Sequence, residues 1–250
     1  PGALPTLRMC TAPPLAVDRL IGLSGANKSL VGKMEEGKLA VRMKDELLRE
    51  NLSAVCRILT RLLDHDIFPW LAAGLTPTEQ ARDRASTVVA DRLCTAVANP
   101  IVKNAQEQRQ LALIAAFLEG HGYQRQAHPP GSPIRDMVAG TFAFRMNLPV
   151  GKALQVNIPV DVVVQPKTPR EDGLPIPIEA KSAGDFTNTN KRRKEEATKV
   201  HQLQAAYGAS VCFVHFLCGY FGTDYLGYEA VEGIDWVCEH RIDDLLQFGL

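Results

Sequence analysis

A chain of 250 residues has room for one large domain or for a domain with a helical extension, and 46% hydrophobic with 22% charged residues is ordinary globular composition. Lys+Arg and Asp+Glu balance at 28 each, so net charge neither supports nor excludes a nucleic-acid partner, although Lys191-Arg192-Arg193-Lys194 concentrates positive charge locally. No apolar run approaches the roughly 20 residues of a membrane span and no signal-peptide pattern is visible, which reads as a cytoplasmic protein without a membrane.

Residues 1–15 are Pro-rich and read as an extended arm. Residues 17–35 carry two short helical patterns broken by Gly25. Their spacing is that of a helix-turn-helix, with Ile21, Gly25 and Val31 at core and turn positions and Asn27, Lys28, Ser29 and Lys33 exposed. Two short helices in any helical subdomain give the same pattern. A long helix is predicted over about 44–63, with Leu48, Leu52, Val55, Leu59 and Leu62 on its apolar face. His65 and Asp66 follow without a further ligand at metal-binding spacing, and so read as a polar pair at a helix end. The segment 76–98 opens with Thr76-Pro77 and Glu79 and closes before Asn99-Pro100, completing an N-terminal helical region over 1–98. The six cysteines are scattered, none in a CxxC pair, and read as reduced core residues rather than bridges or zinc ligands.

In the next helix Leu111, Ile114 and Leu118 form a stripe that reaches Glu107 one turn back. That carboxylate is either a surface acid complementing the helix dipole or a member of a polar site. Gly120 and Gly122 stop the helix. From here the period changes from 3.6 to 2. Strands are predicted over 140–150, 154–166 and 174–181, then a helix over about 190–207 and an apolar strand over 211–221. The tail reads as a short strand and loop followed by an amphipathic helix. Residues 99–250 thus form a mixed α/β core, a central mixed sheet flanked by helices.

Alternation places Val156, Ile158, Val160, Val162 and Val164 on one face of their strand and Asp161 on the other. Glu179 and Lys181 emerge side by side from the next strand, and a hairpin would set Asp161 across from them. Two carboxylates held together repel, and a divalent cation relieves that repulsion. Mg²⁺ suits Asp161, Glu179 and the carbonyl of Ala180, and Lys181 could orient a metal-bound water in phosphodiester cleavage. A D…ExK string also arises by chance as a salt-bridged surface cluster. Lys191, Arg192, Arg193 and Lys194 open the following helix after the polar Thr187-Asn188-Thr189-Asn190. Four cations near a helix N-terminus oppose its dipole unless an anion such as a DNA phosphate is present. Gln204 shares a face with Ala197, Val200 and Tyr207. No GxxxxGK[ST], post-strand GxGxxG, GxSxG or HExxH is found.

The order helix with acid (NAQEQRQ), strand with Asp (PVDVVV), strand with ExK (IPIEAK), then basic helix resembles the PD-(D/E)xK nuclease superfamily. The strings LLDHDIFPW, NAQEQRQLALI and EAKSAGDFTNTNKRRKEEA are similar to the XamI-type type II restriction endonucleases, from about residue 18 to the C-terminal helix. The resemblance implies a restriction-endonuclease-like core and Mg²⁺-dependent cleavage of double-stranded DNA at a short site, by a homodimer. By motif position it makes Asp161 and Glu179 metal ligands, Lys181 the catalytic lysine and Glu107 the acid of the helix preceding the sheet. Ser182, Thr187, Asn188, Asn190 and the Lys191–Lys194 cluster become DNA-contact candidates. Pro159 and Val160 precede Asp161, so proline is not adjacent to the acid, and Gln202 lies five residues before Tyr207, out of register with a QxxxY motif. A repair or structure-specific nuclease on the same core and a non-catalytic DNA-binding regulator using residues 17–35 are the alternative readings.

Overall fold

The computed structural model describes residues 2–39, 42–129, 132–151, 156–183 and 189–250, with the backbone alone for 189–193. Contacts divide the chain into two compact units, Pro1–Val102 and Lys103–Leu250.

In the first unit, α1 (Leu4–Met9), α2 (Val17–Ser24), α3 (Lys28–Glu35), α4 (Asp45–Arg61) and α5 (Pro69–Ala73) precede α6 (Glu79–Gly120), whose start belongs to this unit. The Pro-rich beginning is therefore partly helical, because Leu4 buries itself with Leu20, Leu30 and Val31, and Met9 is buried at the helix end. Gly25 ends α2 in the left-handed conformation (φ 65°), and Asn27 caps α3 by accepting from the Leu30 N–H at 3.1 Å. Lys28, Ser29 and Lys33 are exposed and Val31 is buried. The α4 face is centred on Val55, Ile58 and Leu59, with Leu48, Leu52 and Leu62 at its rim.

His65 and Asp66 are exposed, while Asp64 beside them is buried. Arg92 donates to Asp64 at 2.9 Å and to the Met9 carbonyl at 2.9 Å, tying the start of the chain to the end of α4. The cysteines are free, but the core reading was too strong: Cys56 and Cys94 are exposed and the other four half-buried.

Helix α6 is continuous through Pro100, where the sequence predicts a break at Asn99-Pro100. One proline removes one N–H and crowds the preceding turn without ending a helix packed on both sides of it. In the second unit, β1 (Gln124–Arg125), β2 (Thr141–Val150), β3 (Val156–Gln165), β4 (Ile176–Ser182), β5 (Val214–Cys218) and β6 (Asp235–Cys238) form one sheet in sequence order. The central pairs β2–β3 and β3–β4 are antiparallel, and the other three neighbours are parallel. This is mixed α/β with flanking helices, as the sequence predicts. The two-residue β1 escapes sequence reading. So does α8 (Thr223–Val231), which replaces the predicted strand and loop and precedes β6. The tail ends in 3₁₀ turns over Glu239–Phe248 rather than an α-helix.

Each face of the sheet has its own core. Leu111, Ile114 and Leu118 of α6 pack on Phe142, Val162, Val164, Ile176, Ile178 and Phe216. On the other face Val200 and Leu203 of α7 (Thr189–Tyr207) meet Ala143, Leu148, Ile158, Val160, Val163 and Phe213. Simple alternation fails along β2 and β3: Val162 and Val164 face α6, but Val160 and Ile158, also even-numbered, face α7. Phe142 and Leu148 split in the same way. Both strands therefore exchange faces, and the exchange falls at Asp161 and Arg145.

The Arg92 guanidinium holds the Asp64 carboxyl below the usual carboxylate range, with help from the Ile67 and Asp66 N–H groups and against burial. A depressed carboxylate pKa contributes stability that is present above the ordinary value near 4 and lost as pH falls through the folded-state value. Asp64→Asn is expected to destabilise the first unit by about 1–3 kcal/mol at neutral pH and to flatten the acid limb of its stability profile. Melting temperatures measured from neutral pH into acid would reveal this, and an unchanged acid limb would dismiss the role.

Candidate active site

The interruption in the hairpin builds the site. Pairing of β2 with β3 keeps one register through Phe144↔Val162 and Met146↔Val160, yet Arg145 and Asp161, which stand opposite each other between those pairs, are not themselves paired. Arg145 has φ 52°, the only positive φ outside glycine among the described residues. A left-handed backbone turns the strand over, so its faces exchange. It leaves Asp161 half-buried at the turnover point rather than on either regular face.

Asp161 is anchored to the next strand by the Ala180 N–H, which donates to its carboxylate at 2.8 Å. The β3–β4 register runs Val164↔Ile176 to Val162↔Ile178, so Glu179 is the residue next in line opposite Asp161. Burial and the charge of Glu179 push the Asp161 carboxyl up to about 6, with the Ala180 N–H and the lysines opposing them.

Glu179 and Lys181 do share a face. Lys181 Nζ donates to Glu179 Oε1 at 3.1 Å and to Glu196 Oε1 at 2.5 Å, while Lys199 donates to Glu179 Oε2 at 2.6 Å. Burial alone would lower the Lys181 pKa, but Glu179 and Glu196 outweigh it and the ammonium is held. Glu196 would be raised by burial, and His215 with Lys181 bring it instead to about 2. Behind Glu196 the polar chain runs into the core. His215 Nε2 lies 3.5 Å from Glu196 and Nδ1 3.6 Å from Glu229, with the two rear residues 0% and 1% exposed. Burial raises the Glu229 pKa, opposed by His215 and Tyr225.

Glu107 ion-pairs with Arg145 at 2.8 Å, and so joins the strand opposite Asp161 rather than the carboxylates themselves. The pair is half-exposed, 57% for Arg145 and 40% for Glu107. A surface pair of this kind contributes at most about 1 kcal/mol, whereas a left-handed backbone costs a non-glycine residue about 1–2 kcal/mol. The ion pair does not offset the strain. The Ser182 hydroxyl donates to Gln110 Oε1 at 3.0 Å, and Gln110, 2% exposed, donates to the Lys181 carbonyl at 3.1 Å. One buried glutamine thus locks α6 to the strand carrying Glu179 and Lys181.

Lys194 is exposed on α7. Thr187 and Asn188 lie outside the described residues, as do the side chains of Asn190, Lys191, Arg192 and Arg193. Gln204 is half-buried, and Leu203 takes the core position beside it.

Sequence reasoning missed Glu196, Lys199, His215, Gln110 and Arg145. Two of these left a trace: Glu196, Val200 and Leu203 follow helical spacing, so an acid was legible on the buried stripe of α7, and His215 stands alone in an apolar strand. Arg145 left none.

Asp161 and Glu179 with the Ala180 carbonyl offer two carboxylates and a carbonyl, a hard-oxygen set that fits Mg²⁺, which takes one or two carboxylates and keeps several waters. Among the described residues no group of three or more His, Cys, Asp and Glu stands together as a metal cage.

A mixed sheet flanked by helices, with Asp and Glu-x-Lys on neighbouring strands, has the organisation of a site-specific deoxyribonuclease. Comparison with known proteins agrees. The family model described as XamI restriction endonuclease matches residues 1–238. Type II restriction enzyme SalI of Streptomyces albus G is 60% identical over 249 residues, spanning 100% of this chain and 79% of that protein. The chain belongs to the XamI restriction endonuclease family, and it is a hydrolase that cuts DNA at specific sites. Among the described residues no helix is long and apolar enough to cross a membrane.

Gly219 closes the strand beside the site with φ 96°, and a Cβ there would stand 2.9 Å from the Ala183 Cβ. Gly219→Ala is expected to destabilise the protein by about 1–3 kcal/mol and to lower cleavage by moving the end of β4. Thermal unfolding and a cleavage time course test this. No change in either would mean the two strand ends part freely.

Proposed function

We propose that this chain is a Mg²⁺-dependent type II restriction endonuclease that hydrolyses both strands of duplex DNA at a short sequence, acting as a homodimer. The observation that carries the reading is the opposition of Asp161 and Glu179 across β3 and β4, with the Lys181 ammonium 3.1 Å from Glu179. The raised pKa of Asp161, caused by burial and by Glu179, supports a cation between them. Mg²⁺, when bound, would polarise the scissile phosphate and acidify a water.

The chain's own residues do the rest. Asp161 and Glu179 would hold the cation with the Ala180 carbonyl, and the Ala180 N–H fixes the Asp161 carboxylate in direction. Lys181 orients the attacking water and stabilises charge developing on the phosphate. Glu179 is shared by two lysines, and Lys181 is also held by Glu196, so the ammonium would keep its place were Glu179 to hold a cation. Lys199 stays beside Glu179 and limits the negative charge at the site. Lys194 and the neighbouring Lys191–Arg193 run supply cations where α7 begins, suited to a DNA backbone. The relative SalI is a type II restriction enzyme, which supports this class of cleavage.

Lys181→Ala is expected to abolish cutting, at least a thousandfold, while duplex binding persists. Near-normal activity would remove Lys181 from the mechanism. Digestion of a sequenced plasmid should give discrete fragments with Mg²⁺, stop on chelation and resume when Mg²⁺ is restored. Cleavage that persists under full chelation would rule out the cation.

A further inference from the structure

Past the turnover at Arg145 and Asp161, the β2–β3 hairpin has one face committed and one face open. Leu148, Val150, Ile158 and Val160 bury themselves against the α7 side. Arg145, Asn147, Pro149, Asn157 and Pro159 are all exposed on the opposite face. That face begins at Arg145, directly across from Asp161. The outer edge of β2 is also open, because β1 pairs only with Thr141 and Phe142. A groove of about 570 Å³ runs along this edge, lined in part by Arg125, Arg145, Asn147 and Asn157.

We propose that this open half of the hairpin is a docking face for duplex DNA, on which Arg145 exchanges Glu107 for a backbone phosphate and Asn147 and Asn157 face base edges. The inference rests on the nuclease reading above and names the surface that would feed its site.

Three observations select DNA as the occupant. The first is charge: the face carries Arg145, with Arg125 beside it over the Phe144 ring. Neither Arg145–Val150 nor Val156–Val160 contains a carboxylate, so beyond Asp161 these two segments offer a polyanion no repulsion. The second is shape: a two-stranded ribbon is one of the elements that a major groove admits, and Asn amides match the adenine edge. The third is continuity, since a phosphate at Arg145 lies one strand away from the carboxylates. The half-exposed Glu107 pair holds the guanidinium ready and is weak enough to surrender it. The strained backbone of Arg145, which the ion pair does not repay, also has a use: it is what aims this residue and turns over the strand.

The test measures binding to a plasmid fragment carrying a cut site mapped with the wild-type enzyme, in a Lys181→Ala background so that the DNA stays intact. Arg145→Ala and Arg145→Gly should each weaken binding at least tenfold and reduce the salt slope by about one, and Arg145→Lys should recover most of the loss. Glycine relieves the left-handed strain, so an Arg145→Gly variant that binds like the parent would assign the residue to the backbone alone and overturn the proposal. Asn147→Asp with Asn157→Asp, which touches no core position, should weaken binding at least tenfold at unchanged Tm. Parent-like binding of that variant, or a shift in sedimentation without loss of binding, would overturn the proposal and give the face to a second copy. Neither failure disturbs the nuclease reading, which falls only if the wild-type enzyme with Mg²⁺ leaves the plasmid uncut.

Discussion

The ammonium of Lys181 is the point on which the site turns. It is drawn between Glu179 on its own strand and Glu196 on α7, so it fixes the distance between the sheet and the helix as well as its own place. Remove it, and two carboxylates in a largely desolvated setting face each other with one lysine, Lys199, between them. Buried charges of this sort are tolerated only when each has a partner. Here Lys181 lies between Glu179 and Glu196, and behind Glu196 come His215 at 3.5 Å and then Glu229 at 3.6 Å from His215.

The position of Asp161 comes from a different cause. A regular antiparallel hairpin would send it to one face or the other. The left-handed turn at Arg145 reverses both strands at once, and the carboxylate is left where the ladder is unpaired, free to accept the Ala180 N–H from the neighbouring strand. Irregularity in a sheet is commonly found next to sites because it re-aims side chains that a pleat would bury or expose. The same reversal supplies the outer hairpin with an inner apolar face and an outer polar one. The place of the Asp161 carboxylate and the open surface both go with the left-handed torsion at Arg145.

Much of this could be read from residue order. Period-2 runs gave the three central strands, and Glu179 and Lys181 had to share a face because they are two residues apart. The Asp161 pairing followed once the strands were adjacent. The exchange of faces was not legible, because alternation assumes an unbroken pleat and nothing about an arginine in FRM announces a positive φ. The helix through Pro100 was read as two, since proline's local cost was weighed without the packing that outlasts it. The tail reads as a short strand and loop before a final helix, whereas Thr223–Val231 is helical, with Tyr225 and Glu229 buried. Glu196 drew no role from residue order, because its neighbours, Lys181 and His215, come from other elements.

The buried pair His215 and Glu229 has a bearing on descent. With Glu196 they occupy three separate elements, α7, β5 and α8, and none of them faces solvent. Loss of any one leaves the others charged or polar in an apolar interior, and Glu196 is in addition the partner of Lys181. Lineages carrying this core are therefore expected to pass the three positions on as a set. A sequence that has drifted at one of them should have drifted at its companions too, and the chemistry at the front of the sheet inherits the history of the core behind it.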